Sequence, residues 1–213
     1  MEPEEVFRRF DVSRESQARL HLYADLLRKW QARINLVGGD TIPFLWERHI
    51  ADSLQLRTYI GKGEKTVIDL GSGAGLPGLV LALAYPEYRV TLIETNGKKA
   101  AFLKEVARRS EISVQIIQGR AEHVDSEPFR SADPIITSRA VAPLHRLLGL
   151  AAPFLKTGRA LFHKGQDAGA ELTEAMKSWR IVYIRHPSVI DSRGVILEIL
   201  KVWHIDEHGP RGG

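Results

Sequence analysis

The sequence predicts an α/β fold: a Rossmann-like, parallel-rich sheet of seven strands with an antiparallel end, preceded by a helical extension. Three observations predict it. Residues 66–78, Thr-Val-Ile-Asp-Leu-Gly-Ser-Gly-Ala-Gly-Leu-Pro-Gly, read as a buried strand, a glycine-dense turn and the start of a helix. Short β-branched runs then alternate with helical stretches, the pattern of a sheet covered by helices on both faces. The last two strand-like runs have no long helix between them, so they close the sheet antiparallel.

Composition sets the bounds. A chain of 213 residues, 44% hydrophobic, is long enough for one sizeable core and an appendage. The absence of cysteine excludes disulfides, thiolate metal sites and any cysteine nucleophile. Residues 1–10 are acidic then basic with no apolar run, unlike a secretory signal. No apolar run approaches the ~20 residues that span a bilayer. The expectation is a soluble cytoplasmic protein with no membrane partner. A net charge of +4 is compatible with a nucleic-acid partner without establishing one.

Taken in order, residues 2–37 read as helical. Ser13 is a good N-cap, and Leu20, Tyr23, Leu26, Leu27, Trp30 and Ile34 recur at helical spacing as one apolar face. Arg14, Arg19, Arg28, Lys29 and Arg33 lie mostly off that face, as a solvated surface or an RNA-contacting one. Gly38-Gly39-Asp40 breaks the pattern, and a short helix follows with Pro43 in its first turn. His49 and Asp52 are three apart and share a face of a continuous helix. Such a pair can serve acid–base chemistry or half a metal site. With no second His/Asp/Glu pair nearby, a structural hydrogen bond or cap is preferred. Gly61-Lys62-Gly63 divides this extension (1–62) from the core (63–203), and 204–213 reads as a flexible tail.

In the core, strands are expected at 66–70, 89–93, 114–117, 135–137, 158–163, 180–184 and 195–202. Helices are expected from Leu79, over 97–110 with Ala101, Phe102, Leu103 and Val106 inward, over 143–154 and over 168–179. Residues 119–124 form a turn or short helix.

Two ligands compete for the glycine loop. Gly73-x-Gly75-x-x-Gly78 satisfies the dinucleotide fingerprint, and Glu94 lies about 20 residues on, where a ribose-binding acid belongs. The longer string Asp69-x-Gly71-x-Gly73-x-Gly75 favours S-adenosylmethionine (SAM). Its acid precedes the turn, placed to meet the ligand's amino-acid part. Glu94, ending the second strand, can hold both ribose hydroxyls through its two oxygens. Gly119-Arg120-Ala121-Glu122 follows the third strand, where the adenine-facing turn belongs. Ser138-Arg139-Ala140 follows the fourth strand, and Arg139 suits a carboxylate, phosphate or nucleobase. Lys164-Gly165 after the fifth strand is a candidate of the same kind.

Missing motifs narrow the methyl acceptor. Carbon-5 pyrimidine methylation needs a cysteine. Exocyclic amine methylation usually shows Asp/Asn-Pro-Pro-Tyr/Phe where this chain has Ser138-Arg139-Ala140. Ribose 2′-O methylation commonly uses a Lys and an Asp, and no Asp stands at that strand end. An acceptor whose lone pair needs no deprotonation remains, and guanine N7 is one.

Five stretches together resemble the RsmG (GidB) family: Asp-Leu-Gly-Ser-Gly-Ala-Gly-Leu-Pro-Gly from Asp69; Leu92-Ile93-Glu94 with Lys98-Lys99 and Phe102-Leu103; Arg120-Ala121-Glu122; Thr137-Ser138-Arg139-Ala140; and Arg48-His49-Ile50-Ala51-Asp52-Ser53-Leu54 in the extension. The likeness runs over residues 23–165. It implies a SAM-dependent methyltransferase acting on guanine N7 of 16S ribosomal RNA, as RNA or small subunit; a monomer is expected. By the same likeness, Gly71 and Leu76 line the methionine end, Ala121 and Glu122 meet the adenine, and Arg139 sits between cofactor and acceptor. Trp30-Gln31 stands where Trp-Asn is usual, and Asn35-Leu36-Val37 where Asn-Leu-Thr is. The region after Gly165 is hard to match. The rivals are an NAD-dependent oxidoreductase, for which no proton donor can be placed, and a non-catalytic SAM- or RNA-binding module. Lys98, Lys99, Lys104, Arg108 and Arg109 are candidates to track RNA phosphates.

Overall fold

The computed structural model describes residues 1–63 and 65–206. The tail expected over 204–213 therefore lies largely outside the described residues. Two helices open the chain in place of one: α1 (Pro3–Arg9) and α2 (Arg14–Gln31). Asp11 between them takes the left-handed conformation (φ 52°), and the Ser13 hydroxyl caps α2 by accepting from the Ser16 N–H. Past α2 the chain is not helical. The Gln31 side chain holds it instead, accepting from the N–H groups of Leu36 and Val37. A 3₁₀ turn (Gly39–Phe44) contains Pro43, and Trp46–Ala51 is wound as a π-helix. Short α3 (Asp52–Leu54) and α4 (Arg57–Ile60) finish the extension.

The core alternates as expected: β1 (Lys65–Leu70), α5 (Gly78–Ala84), β2 (Tyr88–Glu94), α6 (Gly97–Arg109), β3 (Gln115–Gln118), β4 (Ile135–Arg139), α7 (Leu144–Ala151), β5 (Arg159–Lys164), α8 (Ala168–Ala175), β6 (Trp179–Pro187) and β7 (Val195–His204). The seven strands lie in the order β3-β2-β1-β4-β5-β7-β6. The first five are parallel; β7 is antiparallel to both β5 and β6.

Strand alternation sorts β1 between two cores. Val67 faces the layer of α2, α5 and α6; Ile68 and Leu70 face α7 and α8. The first core is continuous with the extension, since Leu20, Tyr23, Leu27 and Ile50 are buried in it with Leu79 and Phe102. On α6, Phe102, Leu103 and Val106 point inward as expected, but Ala101 is exposed. Ala100 and Ala107 take the inward positions, because a 3.6-residue turn brings them onto the Leu103 face. α5 starts unusually close to the sheet. A Cβ on Gly78 would stand 2.5 Å from the Asp69 Cβ and 2.7 Å from Leu92.

Candidate active site

The carboxyl ends of β1, β2, β4 and β5 open into one cleft of about 1480 Å³, and the helical extension forms its far wall. Small-molecule pockets usually span roughly 300–1,000 Å³. The cleft has room for two reactants side by side.

The glycine loop between β1 and α5 is its floor. The N–H groups of Gly71 and Ser72 donate to the Ile93 carbonyl at 2.9 and 3.0 Å, tying the loop to the end of β2. Gly73 has φ +57°, and a Cβ there would meet nothing nearer than the Gly71 carbonyl oxygen at 3.8 Å. Its side-chain position is therefore open space on the cleft wall. The Gly73 N–H donates to Glu94 Oε2 at 2.7 Å, and the other Glu94 oxygen accepts from the Asn96 N–H at 2.7 Å. Glu94 thus stands beside the loop, its carboxylate held by two backbone donors.

Of the residues singled out from sequence, Gly71, Gly73, Leu76, Glu94, Arg139 and Lys164 line this cleft. Asp69, Gly75, Ala121 and Glu122 do not. Asp69 is wholly buried on the Val67 face of β1, beneath the start of α5. It accepts from the Thr137 hydroxyl at 2.8 Å and the Gly78 N–H at 3.2 Å, so it shapes the loop from behind. Burial raises its carboxyl to about 6 against those hydrogen bonds. Gly75 likewise turns inward, where a Cβ would meet Leu79 at 2.6 Å. Ala121 packs against the α7 side, and Glu122 lies in the 3₁₀ turn Ala121–His123.

Arg139, at the end of β4, reaches back into the extension. One guanidinium nitrogen donates to the Arg48 carbonyl (2.9 Å) and to Asp52 Oδ2 (3.0 Å), the other to His49 Nδ1 (2.6 Å). The expected hydrogen-bonding role of His49 and Asp52 is realised through Arg139, some 90 residues away. Because Nδ1 accepts from arginine, the His49 proton sits on Nε2 and is donated to the Thr41 hydroxyl at 2.7 Å. Thr41 in turn donates to the Gly38 carbonyl at 2.6 Å. Burial first, then the Arg139 charge, pulls His49 down to about 4, so it is neutral at pH 7.

His163, next to last in β5, donates from Nε2 to the Asp52 carbonyl at 2.8 Å, and burial lowers its pKa too. Lys164 is already engaged: its ammonium donates to the Ala142 carbonyl (3.0 Å) and Glu171 (2.7 Å), pinning the loop after β4 onto α8. A lysine so held braces that loop rather than presenting a free charge. Thr41, Phe44, Val141 and His163 also line the cleft and carry no sequence signal. Phe44 sits in an apolar run with Ile42, Leu45 and Trp46, so nothing local separates it from core residues.

The overall architecture matches solved structures of low identity. The crystal structure of M. jannaschii TYW2 in complex with AdoMet aligns at TM-score 0.57 and 18% identity, covering 82% of this chain and 80% of that one. P. horikoshii TYW2 in complex with MeSAdo aligns at TM-score 0.53 and 16% identity, covering 71% and 61%. A sheet of this order, with a glycine loop at the carboxyl ends of its strands, has the Rossmann-like fold of those structures, and a family match over most of its length makes the chain a SAM-dependent methyltransferase.

The particular family follows from the sequence match: residues 16–199 fit the GidB model, rRNA small subunit methyltransferase G, and the chain belongs to that family. It is 52% identical over 204 residues to the ribosomal RNA small subunit methyltransferase G of Paramagnetospirillum magneticum, covering 95% of this chain and 97% of that one. It is 50% identical over 189 residues to the protein of the same name from Gluconobacter oxydans, covering 88% and 95%. Among the described residues no helix is long and apolar enough to cross a membrane.

Proposed function

We propose that this protein transfers a methyl group from SAM to N7 of a guanine in 16S ribosomal RNA of the small ribosomal subunit. The observation that carries the reading is the cleft of a family member, with the glycine loop and Glu94 on one side and Arg139 on the other. The open Cβ position of Gly73 and the adjoining Glu94 carboxylate fit a ligand that presses against backbone and offers hydroxyls. Gly71, Gly73 and Leu76 would line the methionine end, and Glu94 would take the ribose hydroxyls. Ala121 and Glu122, in the turn that follows β3, would meet the adenine.

SAM supplies an electrophilic methyl group on a sulfonium. The chain's own part is to orient and exclude water. Guanine N7 attacks with a lone pair, no proton leaves it, and the base gains a positive charge, so no general base is required. The residues around the cleft suit that charge. His49 and His163 are held neutral by burial, and Arg139 is paired with Asp52, so these three groups set no unbalanced cation against the developing one. Exposed Lys98, Lys104 and Arg109 on α6 would meet RNA phosphates, while Arg108 is paired with Glu105. The protein acts in the cytoplasm as a monomer on this reading.

The test is transfer of labelled methyl from SAM to small subunits that lack the modification, followed by nucleoside analysis for N7-methylguanosine. Binding of S-adenosylhomocysteine without turnover would instead mark a non-catalytic module, and NAD binding alone an oxidoreductase.

A further inference from the structure

We propose that Phe44 is the stacking platform for the acceptor base, so that the target guanine lies with one face on this ring. The inference rests on the guanine-N7 reading above. Phe44 ends the 3₁₀ turn Gly39–Phe44 and is 55% exposed, more than any other large apolar side chain among the described residues. A phenyl ring held in a cleft with its face uncovered is free to take a planar partner. The exposure does not come from a loose segment. The following Leu45 and Trp46 are buried, and Leu45 N–H donates back to the Ile42 carbonyl. Thr41, three residues earlier, belongs to the hydrogen-bond chain that runs from Arg139 through His49. The turn carrying the ring is therefore tied through His49 to the end of β4.

The ring stands on the cleft wall, and none of the ring contacts among the described residues involves it. Phe7, Phe102, Phe129 and Phe154, by contrast, each pack edgewise or tilted on another ring. The other exposed large apolar side chain on that wall among the described residues, Val141, lies over the glycine loop, where its Cγ2 is 2.5 Å from the Cβ position of Gly71. An aromatic face and an aliphatic cap in one cleft, with Arg48 exposed beside them, suit a planar base joined to phosphates. Stacking uses the π face and leaves the in-plane N7 lone pair free for attack. It also tolerates any base, so Phe44 would hold the guanine and leave its selection to groups reading the edge.

The experiment compares wild type, Phe44→Ala, Phe44→Leu and Phe44→Tyr for methyl transfer to unmodified small subunits, with calorimetric S-adenosylhomocysteine binding as the check on fold and cofactor site. The expected result is a fall of about ten-fold or more for Phe44→Ala. Phe44→Leu should remain close to it, Phe44→Tyr should return to within about three-fold of wild type, and all four should bind S-adenosylhomocysteine alike. Wild-type transfer by Phe44→Ala, or equal rescue by leucine and tyrosine, would overturn the platform while leaving the reaction intact. Absence of N7-methylguanosine from the wild-type protein itself would remove the functional reading and the platform with it.

Discussion

The Tyr23 hydroxyl, on the second helix of the extension, donates to the carbonyl of Ala74 in the glycine loop at 2.9 Å, with the tyrosine wholly buried. The extension thus braces the loop that forms the floor of the cleft. Burial pushes the tyrosine's ionisation far above its usual value, against an opposing pull from Arg139, so it remains a donor. Tyr23→Phe leaves the Ala74 carbonyl unpaired. A loss of about 1–3 kcal/mol in urea unfolding is expected. S-adenosylhomocysteine affinity should weaken several-fold alongside it. Unchanged affinity with reduced stability would confine the brace to folding.

Gly73→Asp separates ligand binding from folding. The new Cβ would meet nothing closer than 3.8 Å, and aspartate tolerates the left-handed backbone at this position better than most residues. Its carboxylate would enter the cleft beside Glu94. S-adenosylhomocysteine binding should fall below detection by calorimetry while the thermal midpoint stays within a few degrees of wild type. A bound ligand at wild-type affinity would move the cofactor away from this loop.

Arg139→Ala is expected to lower methyl transfer more than ten-fold. It also strips Asp52 and His49 of their shared partner. Removing one member of a largely buried ion pair costs about 3–5 kcal/mol at the upper end. Single-turnover rates at saturating SAM, read beside denaturation midpoints, divide the two effects. Wild-type transfer would take Arg139 out of the reaction.

The histidine below Arg139 gives a pH dependence with a definite sign. His49 has a folded value of about 4 against about 6.5 unfolded, so the unfolded chain binds more protons between those values. Its contribution is full above pH 6.5 and is lost as pH falls toward 4, by up to about 3 kcal/mol. Asp69 acts oppositely. Its value of about 6 exceeds the unfolded one, so it adds stability as pH falls through 6. The two partly cancel in wild type. In His49→Gln the histidine part disappears, so the variant's deficit at pH 7 should shrink by about 1–2 kcal/mol at pH 5. A deficit constant across that range would show that His49 does not titrate in this way.

The glycine loop and the strand order around it were legible because both rest on local rules. Positive-φ glycines sit at Gly71, Gly73 and Gly75, and strand–helix alternation leads to a parallel sheet with an antiparallel end. What sequence alone did not show was which way a side chain turns. Asp69 flanks the loop in sequence, but pleating puts it on the Val67 face under α5, whereas Glu94, at the end of β2, reaches the cleft. Ala101 misses the core for the same kind of reason on a helix. Long-range partners were invisible: neither the Arg139–His49 contact nor the capture of Lys164 by Glu171 follows from residue type. The split of 2–37 into two helices turned on Asp11 adopting φ 52°, a conformation open to aspartate but not announced by it.

Whether this cleft methylates guanine N7 in small-subunit ribosomal RNA can be read from the product itself. The direct measurement is incubation of the protein with labelled SAM and small subunits lacking the modification, then digestion of the 16S RNA and mass analysis of its nucleosides. Label is expected in N7-methylguanosine at a single guanine, and none with Gly73→Asp. Label in another nucleoside, or none from the wild-type protein on either naked RNA or subunits, would contradict it.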